Sequence, residues 1–304
     1  MLEMKSLTIL LFIFILTACA KQVEEYSPKF SDQNFQTQSR VPEYILAVHP
    51  LHNPERLQKM FGPIVDYING RIKNAKLKIE ASNSYSDYNE KIKTKRIDFL
   101  LPNPYQTTIA KKFGYHVFAK MGDDDIFAGI GLVRVDSKVS KVQDLKNKVI
   151  TFPAPTALAA AMMPQLYLQK NGLNLKNKEA VIKYVGSQES SILAVYHGEA
   201  DVGVTWVMAW SSFAIDNPEI AKNLKILFKT KPLINNSLMV KNEVDKTLID
   251  QVREILINMH KNEEGRKILE NIKLSKFENA NDQTYFAVEK FLKEFEVTFG
   301  ELPQ

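Results

Sequence analysis

The chain has 304 residues, a formal charge of +5 and a single cysteine. One cysteine excludes an internal disulfide, and the modest positive charge suits anionic ligands or membrane surfaces without specifying either. The length is enough for one large or two medium domains with well-buried cores.

The N-terminus has the form of a targeting segment. Lys5 precedes an apolar run from Leu7 to Leu16 that is broken only by Thr8. That run is too short for a comfortable membrane span and right for a signal-peptide core. It ends in Leu16-Thr17-Ala18-Cys19, which resembles the lipobox of bacterial lipoproteins, with Cys19 as the lipidated residue. Residues 1–18 are read as a lipoprotein signal peptide and 19–40, polar and poor in aliphatic side chains, as a flexible tether.

From Tyr44 the pattern alternates between strand and helix. Tyr44–Val48 is a predicted strand that stops at His49-Pro50, and the helix after it carries Leu57, Met60, Phe61, Ile64, Val65 and Ile68 at helical spacing. Leu77, Ile79 and Ala81 mark a second strand, which empties into the polar loop 82–88. A helix holding Tyr88 and Ile92, a strand over Ile97–Leu101 and the loop Pro102-Asn103-Pro104-Tyr105 follow. Thr108, Ile109 and Phe113 then open another helix. This rhythm argues for a parallel sheet covered on both faces. Phe127–Val135 is a long extended run suited to crossing between lobes. A strand ending at Phe152 leads through Pro153-Ala-Pro-Thr156 into a helix starting at Ala157.

Val181–Trp206 reads as strand, loop, helix, turn, strand. Ser187 is a plausible N-cap, Ile192, Leu193, Val195 and Tyr196 pack inward, and Gly198 ends the helix. A strand end feeding a helix N-terminus is a common ligand position in open α/β sheets. Ser187, Gln188 and Glu189 there can donate and accept hydrogen bonds, but they form no nucleophile–base pair. Beyond this stretch lie a strand at Leu224–Phe228, extended chain at Pro232–Val240 and helices over Leu248–Met259, Arg266–Ile272 and Tyr285–Phe295. There is no internal repeat and no low-complexity tract.

Catalytic motifs are missing. There is no HExxH, G-x-S-x-G, P-loop or G-x-G-x-x-G, and lipidation of Cys19 leaves no thiol nucleophile. His49 and His52, near Glu55, have a spacing that suits a metal site, but no second ligand cluster accompanies them. Tyr85, Tyr105, Phe127 and Trp206 fall at loop or strand ends, where core packing and ligand contact fit equally well.

Several short motifs, in order, resemble type II periplasmic solute-binding proteins, in particular the phosphate/phosphite/phosphonate-binding family of ABC-transporter receptors. They are Ser84-Tyr85 with Arg96-Ile97-Asp98, Asn103-Pro104-Tyr105, Asp136-Ser137 with Asp144-Leu145-Lys146 and Phe152, and Gly186-Ser187-Gln188-Glu189 with Ala194-Val195, Gly198 and Asp201. The resemblance runs from Ile45 to about Ile272. It implies a two-lobed α/β fold, each lobe a mostly parallel sheet flanked by helices. Lobe 1 would be 41–131 plus 233–304 and lobe 2 would be 132–232, with hinge crossovers near Ile130–Arg134 and Thr230–Asn235. It further implies ligand contacts from Tyr85, Ser84, Asn103, Tyr105, Phe127, Thr156, Ala157, Leu158, Ser187, Gln188, Glu189 and Trp206.

No catalysis, cofactor, metal or nucleic acid is implied. The expected partners are a small solute, an ABC permease and, through the lipid, a bacterial membrane on its periplasmic or outer side. A ligand-sensing lipoprotein that signals to a membrane kinase or cyclase fits the same sequence. The chain also departs from the family pattern. Where the family has a Ser-Thr-Ser-Gly cradle, this sequence has Ala157, Leu158, Ala159 and Ala160, and Gln188 replaces the histidine of the later loop. The expectation is weak binding of phosphate, phosphite and simple alkylphosphonates, and tight binding of a small organic solute.

Overall fold

The computed structural model describes residues 41–303, so the signal peptide, Cys19 and the tether lie outside the described residues. The first sheet is built by β1 (Glu43–Val48), β2 (Lys76–Glu80), β3 (Phe99–Leu101) and β4 (Tyr115–Met121), with α1 (Pro54–Asn69), α2 (Tyr85–Lys93) and α3 (Pro104–Lys112) as connections. Asn53 starts α1 by accepting the Arg56 N–H at 2.9 Å, with Pro54 in the first turn where a missing N–H does no harm. The helix buries Leu57, Phe61, Ile64, Val65 and Ile68 on one face, as their spacing predicts. Asn103 and Gln106 cap the start of α3 reciprocally.

The chain then leaves this sheet. β5 (Gly129–Arg134), β6 (Val149–Phe152), β7 (Val181–Tyr184), β8 (Val202–Trp206) and β9 (Leu224–Lys229) form a second sheet, flanked by α4 (Met163–Lys170), α5 (Gln188–Tyr196), α6 (Val207–Asp216) and the short α7 (Pro218–Ala221). The chain returns at β10 (Ser237–Lys241) and ends with α8 (Lys246–Ile257), α9 (Glu263–Asn271), β11 (Phe277–Asn279) and α10 (Phe286–Phe299).

The strand orders are β11-β4-β10-β3-β1-β2 and β7-β6-β8-β5-β9. Both sheets are mixed. β1 is parallel to β2 and β3, and β6 to β7 and β8. The strands on either side of the crossovers, β4, β5, β9 and β10, make antiparallel pairings. The first crossover lies earlier than the sequence suggests. Ile130–Arg134 sits inside β5, where Ile130–Leu132 pair with both β8 and β9 and the rest with β9, so residues 129–131 already belong to the second sheet. The chain crosses instead between Gly122 and Ala128, around a short 3₁₀ turn at Asp124–Ile126. The return path, 230–236, falls between β9 and β10.

One local feature departs from a regular helix. After β6, Ala157 accepts from both Ala161 N–H (2.7 Å) and Met162 N–H (3.2 Å), so Leu158–Met162 forms a π turn before α4 begins. Pro164 explains the widening, because its ring has no N–H and would press on the carbonyl of residue 160 in an α turn.

Candidate functional site

Every parallel strand that points toward the other lobe ends in a residue lining one cavity. β1 delivers His49 and Leu51, β2 leads to Tyr85, and β3 to Asn103. From the second sheet, β6 leads to Ala157–Ala160, β7 to Gln188, and β8 ends in Trp206. Phe127 on the outgoing crossover and Asn236 on the return close the sides. This is the carboxyl-end crevice of open α/β sheets, used twice and face to face. The free volume within it is about 20 Å³, room for about one water and far below the range typical for drug-sized ligands.

The polar groups in the lining are neutral. His49 Nδ1 lies 3.0 Å from the Leu101 carbonyl, which fixes the tautomer and leaves Nε2 as an acceptor. Burial lowers the His49 pKa to about 4, with a smaller push from His52. An unfolded histidine takes up its proton near pH 6.5. The folded chain therefore loses stability from this group as pH falls from about 6.5 toward 4.

Burial raises the Tyr85 hydroxyl, which is hydrogen-bonded to Gln188 across the cleft. Gln188 Oε1 accepts from Thr205 Oγ1 at 2.8 Å, so its amide nitrogen is the end left for Tyr85. Asn103 Nδ2 makes a second cross-lobe bond, 3.0 Å to the Thr156 carbonyl. Phe127 and Trp206 meet edge to face at 5.4 Å. Trp206 Nε1, Asn236 Oδ1 and Thr156 Oγ1 are buried and find no partner among the described residues. Such atoms cost about 1–3 kcal/mol each unless something fills their hydrogen bonds. At the π turn the first intrahelical donor is Ala161, which leaves the N–H groups of Leu158, Ala159 and Ala160 at the open end.

Charged side chains are confined to the rim. Arg56 of α1 reaches Glu189 of α5 at 3.2 Å and Asp216 of α6 at 2.6 Å. His52 Nδ1 lies 3.5 Å from the same Glu189 carboxylate. The His52 contact and the Arg56 charge hold Glu189 below the usual carboxylate range, while burial keeps the His52 pKa low. His49 and His52 thus part company, one lining the cavity and the other in this cross-lobe latch. Among the described residues no group of three or more His, Cys, Asp or Glu side chains is placed to hold a metal ion.

Of the residues singled out from the sequence, Tyr85, Asn103, Phe127, Ala157, Leu158, Gln188 and Trp206 come together around the cavity. Thr156 adjoins it, and Glu189 belongs to the latch. Three others are engaged elsewhere. Ser84 caps α2 by accepting the Asp87 N–H, and Ser187 caps α5 by accepting the Ser190 N–H. The Tyr105 hydroxyl donates to the Pro303 carbonyl near the C-terminus. His49, Leu51 and Asn236 are lining residues that the sequence did not point to as ligand contacts. For His49 the signal was its place directly after β1, a position that serves a sheet-edge ligand site as readily as a metal site.

Comparison with known proteins agrees with this architecture. Residues 46–285 match the family model for periplasmic phosphonate substrate-binding proteins of ABC transporters. A probable ABC-transporter phosphite-binding protein, PhnD1, from Prochlorococcus marinus strain MIT 9301 is 21% identical over 160 residues, 51% of this chain and 54% of that one. The phosphonates-binding periplasmic protein of Escherichia coli K12 is 22% identical over 156 residues, 50% of this chain and 46% of that one. The matched stretch spans about half the length of these curated relatives.

Among solved structures, Prochlorococcus PhnD1 in complex with methylphosphonate superposes with a TM-score of 0.77 at 18% identity, over 84% of this chain and 98% of that one. A binding-protein component of a Pseudomonas aeruginosa ABC phosphonate transporter gives 0.76 at 17% identity, over 84% and 87%. At that identity the superpositions speak for the fold. The family model covers most of the described residues, and this chain belongs to the phosphonate-binding family of periplasmic ABC-transporter substrate-binding proteins.

Proposed function

We propose that the chain captures a small solute between its lobes, closes on it and presents it to an ABC permease, without covalent chemistry. The observation that carries this is the small cavity whose lining comes from both lobes and includes buried polar atoms with no protein partner. A solute filling Trp206 Nε1 and Asn236 Oδ1 would join the lobes through itself, beside the direct Tyr85–Gln188 and Asn103–Thr156 bonds. Crossovers at 122–128 and 230–236 would act as the hinge.

The relatives' names point to phosphite and phosphonates, but this lining favours something else. Ala157–Ala160 supply main-chain N–H groups and no hydroxyl, and no Asp, Glu, Lys or Arg lines the cavity. Leu51, Phe127 and Leu158 add apolar surface. A neutral or singly charged organic solute suits this better than a dianion. Thermal-shift screening of the full chain at neutral pH, followed by calorimetry, tests the proposal. A solute at one hundred times its Kd should add about 2.7 kcal/mol of stability, and phosphate, phosphite and simple alkylphosphonates should bind far more weakly. Low-micromolar methylphosphonate binding at neutral pH, abolished in Tyr85→Ala, would restore the phosphonate ligand.

We also propose that Cys19 carries a lipid that tethers the receptor to the membrane, on the strength of the Leu-Thr-Ala-Cys motif after the apolar run. Cys19→Ser should move the chain from the membrane pellet to the soluble fraction. A variant that pellets as fully as the parent chain would refute the anchor.

A further inference from the structure

The return crossover borders a second concavity. One face of α4, the chain from Lys229 to Leu233 and one face of α10 line an open groove with a free volume of about 620 Å³, inside the range of small-molecule sites. It shares no lining residue with the interlobe cavity. The helix contributions follow from spacing. Met163, Leu166, Tyr167 and Lys170 recur at three- and four-residue steps along α4, and Phe291 and Glu294 stand three apart on α10. The floor is held by the Thr230 and Leu233 N–H groups, which donate to the Gly129 and Phe127 carbonyls at 2.9 and 3.1 Å.

The groove has a firm aromatic wall. Tyr167 stacks on Phe228 with ring centroids 5.1 Å apart and planes 17° from parallel. Phe228 is buried, and it packs so closely over Gly131 that a Cβ there would lie 2.2 Å from its ring. The Tyr167 ring is therefore backed on one face and only half-buried, a preorganised surface that loses little freedom when a ligand meets it. Leu233 and Phe291, also half-buried, add apolar area.

The charge in the groove is lopsided, with three lysines against one glutamate. Lys170 forms an ion pair with Glu294, joining α4 to α10. Lys229 and Lys231 are exposed and make no ion pair among the described residues. A small inorganic anion would leave the aromatic wall unused, and a neutral hydrocarbon would leave the two lysines uncompensated.

We propose that this groove is a binding site for a compact aromatic carboxylate, its rings against Tyr167, Leu233 and Phe291 and its carboxylate toward Lys229 and Lys231. The site is separate from the cleft and stands or falls independently of solute capture.

Calorimetry on the full chain at neutral pH tests it with 2-naphthoate, its uncharged amide 2-naphthamide, and acetate. The acid should bind with a Kd below about 1 mM. The amide, alike in shape, should bind at least about threefold more weakly, and acetate should give no measurable heat. In the combined Lys229→Gln and Lys231→Gln variant, where both changes are at exposed positions, acid and amide should come within about twofold of each other. Tyr167→Leu should weaken the acid at least about threefold. Hydrogen exchange locates the ligand without any substitution: at about ten times its Kd, 2-naphthoate should slow exchange at Thr230 and Leu233 several-fold and leave the segments holding Tyr85 and Gln188 unchanged.

No binding of 2-naphthoate at about 5 mM would overturn the assignment. So would equal affinities for acid and amide, a preference that survives in the lysine variant, full affinity in Tyr167→Leu, or protection that falls on the cleft segments in place of the crossover.

Discussion

Gly129→Ala should lower stability by about 1–3 kcal/mol and weaken solute binding by more than that loss explains. A Cβ at Gly129 would lie 2.2 Å from the Ala159 carbonyl oxygen and 2.5 Å from Pro164 Cγ. Neither neighbour can step aside. Ala159 belongs to the π turn, and Pro164 is the residue whose ring makes that turn necessary. The strain therefore pushes the turn away from β5, and with it the N–H groups that open into the cavity. For a folded region of this size the melting temperature should fall by roughly 2–10 °C, while the Kd of an identified solute should rise at least about tenfold. A variant that loses stability yet binds normally would show that the turn's position does not matter to the site.

Trp206→Phe should separate stability from binding in the opposite way. Phenylalanine keeps an aromatic ring against Phe127, 5.4 Å away in the parent, but removes Nε1, which is buried without a partner. Removing an unsatisfied donor relieves its desolvation penalty, and the smaller ring gives back part of that gain in lost packing. In the solute-free chain, urea unfolding should show little change or a gain of up to about 1 kcal/mol. Solute affinity should fall about tenfold or more if Nε1 donates to the ligand. A loss of stability together with unchanged affinity would mark Trp206 as core packing only.

Much of the fold can be read from the sequence because the strands of both sheets are short apolar runs stopped by polar or proline-containing loops. The residues at those stops, Tyr85, Asn103, Gln188 and Trp206, then reach the cleft almost by necessity. Two kinds of information stay hidden. A side chain's direction at a helix start cannot be inferred from its type: Ser84 looks like a ligand donor and is used as a cap, Ser187 takes the N-cap role its position suggests, and Tyr105 turns toward the C-terminal segment. Positions on the crossovers carry no periodicity at all. For that reason nothing in the sequence marks Asn236, and the apolar pattern places the outgoing crossover within β5, whose apolar character is that of a doubly paired strand. The spacing of His49 and His52 gives only a weak metal signal, and the pairing of His49 with the Leu101 carbonyl is not legible because it depends on β1 and β3 being neighbours.

The Arg56–Glu189–Asp216 latch touches no cavity atom, so its free energy is the same whichever solute is inside. If the lobes close on a solute as proposed, such a contact would set how long they stay shut without altering which solute is preferred. It is also partly solvent-exposed, with Asp216 about half exposed, and charges in that position are screened over about 8 Å at physiological salt. A protein displayed outside the cytoplasm meets the ionic strength of its surroundings directly. Dilute surroundings would lengthen the residence of every solute and salty ones would shorten it. If the chain hands a solute on as proposed, the rim would couple the pace of that step to the medium while the order of preference among solutes stays fixed.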